Sequence, residues 1–329
     1  MPHVIPPGAA PAAPAAPPWA AEALDAFGLD LARLRPDLPL PASPERCALR
    51  AAVQDARGGL WVLERLLPGQ RARRETVARV QRALAAAGLE GVPAWLPARA
   101  GGHVAVAGGS HWQVAPFVPG DPLPRPAYVE DPGRGAALAR FLGAMRAASA
   151  PALAHAVPAA DLPAFARALR ATLGRTRPAL GAALDPVLAA LAPLFEAWPD
   201  LPQGLAHGDF HPLNVIWRGQ GLAAVVDWEF TGRGPDLYDA ANLLGCVGSE
   251  DPSALGRGLC AALLAGLREG GVLRADNAPW LHPLLLAVRL AWLSEWLRKD
   301  DREMLDMELA YLDLLARSRA ALERAWGLA

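Results

Sequence analysis

Apolar side chains change their spacing several times along this chain, and each change marks an expected element. From Trp19 to Leu34 they recur at helical intervals. Residues 47–54 and 60–66 then read as two strands flanking Asp55-Ala56-Arg57-Gly58-Gly59, a β-hairpin. Residues 70–88 return to helical spacing, with Val77, Val80 and Leu84 on one stripe and Gly88 placed to cap the end. A second hairpin is expected from residues 104–106 and 111–118 across Gly108-Gly109, after which Pro119-Gly120-Asp121-Pro122 breaks the chain. Beyond that break, residues 133–148, 162–173, 184–198 and most of 239–329 are helix-periodic. The exception is a pair of short apolar β-type runs, 214–217 and 222–226, joined by Arg218-Gly219-Gln220-Gly221. A β-rich first part followed by a helical part with an embedded hairpin is an α+β arrangement.

Composition narrows the picture. The chain has 329 residues with 32 basic and 33 acidic side chains, and that balance argues against nucleic-acid or membrane binding through clustered cations. An apolar content of 53% is ample for a packed core. Residues 1–18 are rich in Pro and Ala and predict a disordered tail. Cys47, Cys246 and Cys260 are widely spaced and suggest neither a disulfide framework nor a zinc cluster, which fits a reducing cytoplasm. Arg289 interrupts the longest apolar run, so no membrane-spanning segment is expected. Lys299 is the sole lysine, a bias towards Arg.

The chemistry concentrates in His207-Gly208-Asp209-Phe210-His211-Pro212-Leu213-Asn214 and in Ala223-Ala224-Val225-Val226-Asp227-Trp228-Glu229. The hairpin turn brings Asn214 back beside Asp227, so Asp209, Asn214 and Asp227 converge. Phosphoryl transfer to a hydroxyl requires a carboxylate to orient the nucleophile and accept its proton, and oxygen ligands to hold Mg²⁺ on the nucleotide phosphates. Asp209 suits the first task, Asn214 and Asp227 the second. His207 and His211 read as structural supports of the loop. Asp236 and Asp239 read as capping or loop-tethering groups.

The segment HGDFHPLNV followed by VVDWE resembles the aminoglycoside phosphotransferase, choline kinase and homoserine kinase group of protein-kinase-like enzymes. The resemblance implies a two-lobed protein-kinase-like fold with ATP at the hinge, Asp209 as catalytic base, Asn214 and Asp227 as Mg²⁺ ligands, and a small-molecule hydroxyl acceptor. It divides the chain into an N-terminal lobe over 19–115, a hinge over 116–120 and a helical lobe over 121–329. Ser43-Pro44-Glu45-Arg46 looks like the nucleotide-positioning loop, with Ser43 a donor to phosphate or simply part of a Ser-Pro turn. The hinge would read adenine with the Pro116 carbonyl and the Val118 N–H.

One position departs from the group, which carries a phosphate-binding lysine on the second strand of the first hairpin. Here that position, among the expected cofactor-binding residues, is Glu64. A carboxylate about 4 Å from a phosphate costs about 4 kcal/mol at an effective dielectric of about 20. Compensation is expected from Arg73, which lies within about 40° of the inward helical stripe and would pair with Glu64, or from Arg46 taking over the phosphate; a register slip would instead present Arg65. Glu229 and the helical set Trp292, Glu295 and Trp296 are candidates for the acceptor site, the last three suiting a cation or else forming core. Three activities are compatible with this reading: phosphotransfer, nucleotide binding without efficient catalysis, and nucleotidyl transfer.

Overall fold

The structure, a computed structural model, describes residues 17–40 and 46–328. Its contacts divide the chain into two compact units, Met1–Arg71 with Trp95–Phe117, and Ala72–Ala94 with Val118–Ala329.

The first unit holds α1 (Pro18–Asp25), β1 (Leu31–Leu34), β2 (Leu49–Asp55), β3 (Leu60–Arg65), β4 (Ala105–Ala107) and β5 (Ser110–Pro116). The strands form one antiparallel sheet in the order β1-β2-β3-β5-β4. Both expected hairpins are present. The helix expected from Trp19 to Leu34 is shorter: Gly28 adopts a left-handed conformation with φ of 77°, Leu29 N–H returns to Leu24 O, and the chain leaves as β1. A strand of four residues with apolar ends imitates one more helical turn.

Alternation then decides which sheet face is core. Val53, Leu63, Trp112 and Val114 point to the side covered by α1, packing with Ala20, Ala23, Leu24 and Phe27, and Trp19 stacks on Trp112 with ring centroids 5.4 Å apart. The opposite face carries Arg50, Glu64 and Gln113, which stand in one register row across β2, β3 and β5.

The second unit takes all but the first residue of α2 (Arg71–Ala86), which ends where Gly88 turns left-handed and Leu89 N–H returns to Leu84 O, the expected cap. It continues through α3 (Pro132–Ala148), α4 (Pro151–His155), α5 (Leu162–Thr176), α6 (Pro178–Ala183) and α7 (Asp185–Ala197). Next come β6 (Gln203–Ala206), β7 (Val215–Arg218), β8 (Gly221–Val225) and β9 (Gly232–Pro235). The helices α8 (Tyr238–Glu250), α9 (Gly258–Glu269), α10 (Leu281–Lys299), α11 (Arg302–Arg317) and α12 (Arg319–Ala325) complete it. The pair β7-β8 is the expected embedded hairpin, whereas the antiparallel pair β6-β9 has no apolar signature because Gly204, Gly232 and Gly234 supply much of it.

One core joins the stripe of α2 (Val77, Val80, Leu84) to α3, α8, α9 and α10. Gly135 on α3 lets that helix approach α9 closely, since a Cβ there would lie 2.1 Å from Leu259 O. Arg289, the charge that breaks the apolar run of α10, is 2% exposed and forks onto the carboxylate of Glu308 on α11, itself fully buried. Among the described residues no helix is long and apolar enough to cross a membrane.

Removing one partner of a buried ion pair strands the other charge. Glu308→Ala is therefore expected to cost about 3–5 kcal/mol in urea unfolding, and Arg289→Met with Glu308→Leu to recover most of it. A loss below about 1 kcal/mol for the single change, the value of an exposed pair, would contradict the assignment.

Candidate active site

The site is assembled on the loop after β6. Phe210 is fully buried and stacks on Phe141 of α3 at 5.7 Å, while Trp228 is buried edge-on to His207 at 4.7 Å. These anchors fix the backbone on either side of the hairpin, and the Val226 N–H donates to Asn214 O at 2.9 Å, bringing Asn214 next to the strand end that carries Asp227. The Asn214 carboxamide donates from Nδ2 to Asp209 O at 2.8 Å and to Asp209 Oδ2 at 3.1 Å. That orientation turns Oδ1 of Asn214 away from Asp209. Asp209 and Asn214 are buried, and Asp227 is half-buried in a left-handed conformation with φ of 69°. A non-glycine residue held there is backbone strain, which Asp tolerates better than most.

Histidine and a second carboxylate support this loop. His207 Nδ1 accepts from the Asp209 N–H at 3.3 Å, and its Nε2 lies 3.0 Å from Val226 O, so a neutral ring protonated on Nε2 satisfies both contacts. The ring thereby ties the Asp209 segment to the Asp227 segment, the supporting role expected of it. Asp239, at the start of α8, accepts the N–H groups of His207 at 2.7 Å and Gly208 at 2.9 Å. It is a loop tether rather than a cap. Burial pushes its carboxyl up to about 6, opposed by the two N–H bonds. Gly208 has φ of 86°, and a Cβ there would meet Phe230 O at 2.1 Å, so no other residue fits. Asp236 is held by Arg146 at 2.7 Å and Arg274 at 3.0 Å.

The profile of the phosphotransferase enzyme family matches residues 46–275, a span that includes Asp209, Asn214 and Asp227. The chain belongs to that family. A homoserine kinase of Beijerinckia indica subsp. indica is 30% identical over 200 residues, 58% of this chain and 61% of that one. A homoserine kinase of Brucella anthropi is 37% identical over 114 residues, 33% of this chain and 35% of that one. The chain thus spans about three fifths of the length of the first relative and a third of the second. Among solved structures, an amicoumacin kinase in complex with AMP-PNP and Ca²⁺ aligns with a TM-score of 0.64 at 15% identity, covering 90% of this chain and 92% of that one. A macrolide 2'-phosphotransferase from Brachybacterium faecium aligns with a TM-score of 0.62 at 21% identity, covering 89% and 96%. These alignments establish the protein-kinase-like fold.

The compensation expected around Glu64 takes a different form. Arg73 is engaged elsewhere: it donates from Nε at 2.8 Å to Glu229 O and from Nη2 at 2.6 Å to Thr231 O. Arg74 forms an ion pair with the Glu229 carboxylate. The first turn of α2 therefore grips the segment that follows Asp227, and burial pulls the Arg73 guanidinium below its ordinary range. Glu64 instead pairs with Arg50, its register partner on β2, with Nε 2.6 Å and Nη2 2.5 Å from Oε1. Arg65 lies over Trp112 on the core face at 6.0 Å, which excludes the register slip. Arg46 stands just before β2, its carbonyl accepting from Gln70 Nε2 at 3.1 Å, and Ser43 lies outside the described residues. Pro116 ends β5, and the following Phe117 N–H bonds Leu60 O at 3.0 Å; Val118 is half-buried just beyond.

The expected aromatic face of α10 is occupied. Trp292 donates to Asn242 Oδ1 at 3.2 Å and meets His211 edge-on at 6.0 Å, Trp296 donates to Glu308 Oε2 at 3.4 Å, and Glu295 is drawn to Arg298 at 2.7 Å and Lys299 at 3.3 Å. Glu295 spends its charge on its own helix, so these three residues do not form a cation cage. Arg50 and Arg74 were the residues missed from sequence; the antiparallel register of β2 and β3 places Arg50 opposite Glu64. Arg73 was singled out with the wrong partner, since nothing local links it to a carbonyl 156 residues away.

Asp239 sets a pH signature. An acid whose native value lies above its unfolded value binds its proton more tightly when folded, so its ionisation costs stability at neutral pH, and the cost is relieved as pH falls from about 6 towards about 4. The stability of the wild type minus that of Asp239→Asn, from urea unfolding, is expected to fall as pH rises across this window. A difference independent of pH would contradict the assignment.

Proposed function

We propose that this chain transfers the γ-phosphoryl group of ATP to a hydroxyl of a small molecule. The observation that carries the reading is the junction of Asp209 with Asn214 through the carboxamide bond of 3.1 Å, on a hairpin that ends in Asp227. Asp209 orients the acceptor hydroxyl and takes its proton. Asn214, through Oδ1, and Asp227, through its carboxylate, form a hard oxygen donor set of the kind that suits Mg²⁺. When bound, that ion neutralises charge on the phosphate oxygens. Arg73 and Arg74 hold the segment after Asp227, and His207 holds the Asp209 segment against it, so the two sides of the reaction keep their separation. Pro116 and Val118 read the adenine through their backbone groups.

The homoserine kinases that share 30–37% identity make a hydroxyl amino acid the first acceptor to test. Glu64 favours a second reading, nucleotide binding without efficient transfer, because the position that would carry the phosphate-binding cation carries an acid.

Purified protein with MgATP and homoserine, choline or an aminoglycoside is expected to release ADP in step with a phosphorylated acceptor. Asp209→Asn should lower kcat by about 100- to 10,000-fold with ATP affinity nearly unchanged. Loss of ATP affinity equal to the loss of turnover would count against Asp209 as base. ATP binding with no acceptor phosphorylated from a broad panel would favour the second reading.

A further inference from the structure

We infer that Arg50 is the cation that holds the nucleotide phosphates, and that Glu64 is its anchor. The assignment rests on the kinase reading above and deepens it. The apolar core of the first unit lies on one face of its sheet, with Val53, Leu63 and Val114 turned towards α1. The other face carries the row Arg50, Glu64 and Gln113 across three adjacent strands. Buried charge on a sheet face is weak as a source of stability, because desolvation offsets most of the attraction. It is readily explained where the face meets a charged ligand.

The two members of the pair are not equally covered. The Glu64 side chain is 3% exposed and the Arg50 side chain 17% exposed, so the acid is sheltered and the base is the charge presented outward. Glu64 Oε1 receives both Nε and Nη2 of Arg50, which fixes the plane and direction of the guanidinium. A guanidinium has five N–H donors in a rigid fork and suits phosphate oxygens in pairs. A lysine on β3 held by a glutamate on a helix is the usual way a kinase presents a cation to the phosphates. Here the same pair of charges lies wholly within the sheet, with the cation on β2 and the acid on β3. The acid at position 64 is thereby part of the phosphate site and not an obstacle to it, because its charge is already met by Arg50.

The test separates phosphate binding from nucleoside binding. The full chain, with Arg50→Ala, Arg50→Lys and Arg46→Ala, is titrated with MgATP and separately with adenosine by calorimetry. Arg50→Ala is expected to weaken MgATP by about 10- to 100-fold while adenosine is unaffected, and Arg50→Lys to recover part of the loss. In the unmodified protein, MgATP but not adenosine should protect Arg50 from phenylglyoxal, read by peptide mass spectrometry, which tests the assignment without a variant that must fold. Unchanged MgATP binding by Arg50→Ala, equal losses for both ligands, a loss confined to Arg46→Ala, or no protection of Arg50 would each overturn it. A wild type that binds neither ligand would overturn the kinase reading and this assignment together, whereas a wild type that binds both beside an unaffected Arg50→Ala would overturn the assignment alone.

Discussion

The carboxylate of Asp239 is the constraint on which the site depends. By accepting the N–H groups of His207 and Gly208 it sets the direction in which the loop leaves β6. Asp209 follows immediately, and its own N–H is taken by the His207 ring that also reaches Val226 O. One buried acid therefore orders two backbone groups, one imidazole and, through it, the strand end that carries Asp227. Its burial opposes ionisation, so the order is bought against a desolvation cost that the two N–H bonds offset in part. The left-handed Asp227 is a departure from relaxed backbone, and Gly208, which admits no Cβ, lies in the same site. Backbone strain of this kind clusters at functional sites.

Two charge groups bear on the inversion at position 64. In the sheet, Arg50 answers Glu64 across one register step. In the helical unit, Arg73 and Arg74 answer the Glu229 to Thr231 segment. An inversion at position 64 is thus accommodated without borrowing Arg73, whose Nε and Nη2 donate to backbone carbonyls. The family membership and the protein-kinase-like fold hold with this redistribution in place.

Much of this was legible in the residues, for definite reasons. The β7-β8 hairpin announces itself because apolar runs flank Arg218-Gly219-Gln220-Gly221, and its closure by necessity brings Asn214 to Asp227. The end of α2 was readable because a glycine sits where a left-handed residue is needed. By contrast β6 and β9 are hidden, since their pairing uses glycines that carry no apolar signal, and β1 is hidden because its leucines continue the phase of α1. Helical phase correctly placed Arg73 near the inward stripe but could not name its partner, which is a backbone carbonyl and leaves no trace in residue identity. The aromatic face of α10 shows the complementary limit: spacing groups Trp292, Glu295 and Trp296, while Asn242, Glu308, Arg298 and Lys299 decide what each is used for.

We propose that Asp209, Asn214 and Asp227 form a working metal–nucleotide site although position 64 is acidic. Its most direct test is calorimetric titration with ATP in Mg²⁺ and in EDTA, for the wild type and for Asp227→Ala. Binding is expected to require Mg²⁺ in the wild type and to be lost in the variant. ATP binding of equal strength in both proteins, indifferent to Mg²⁺, would contradict it.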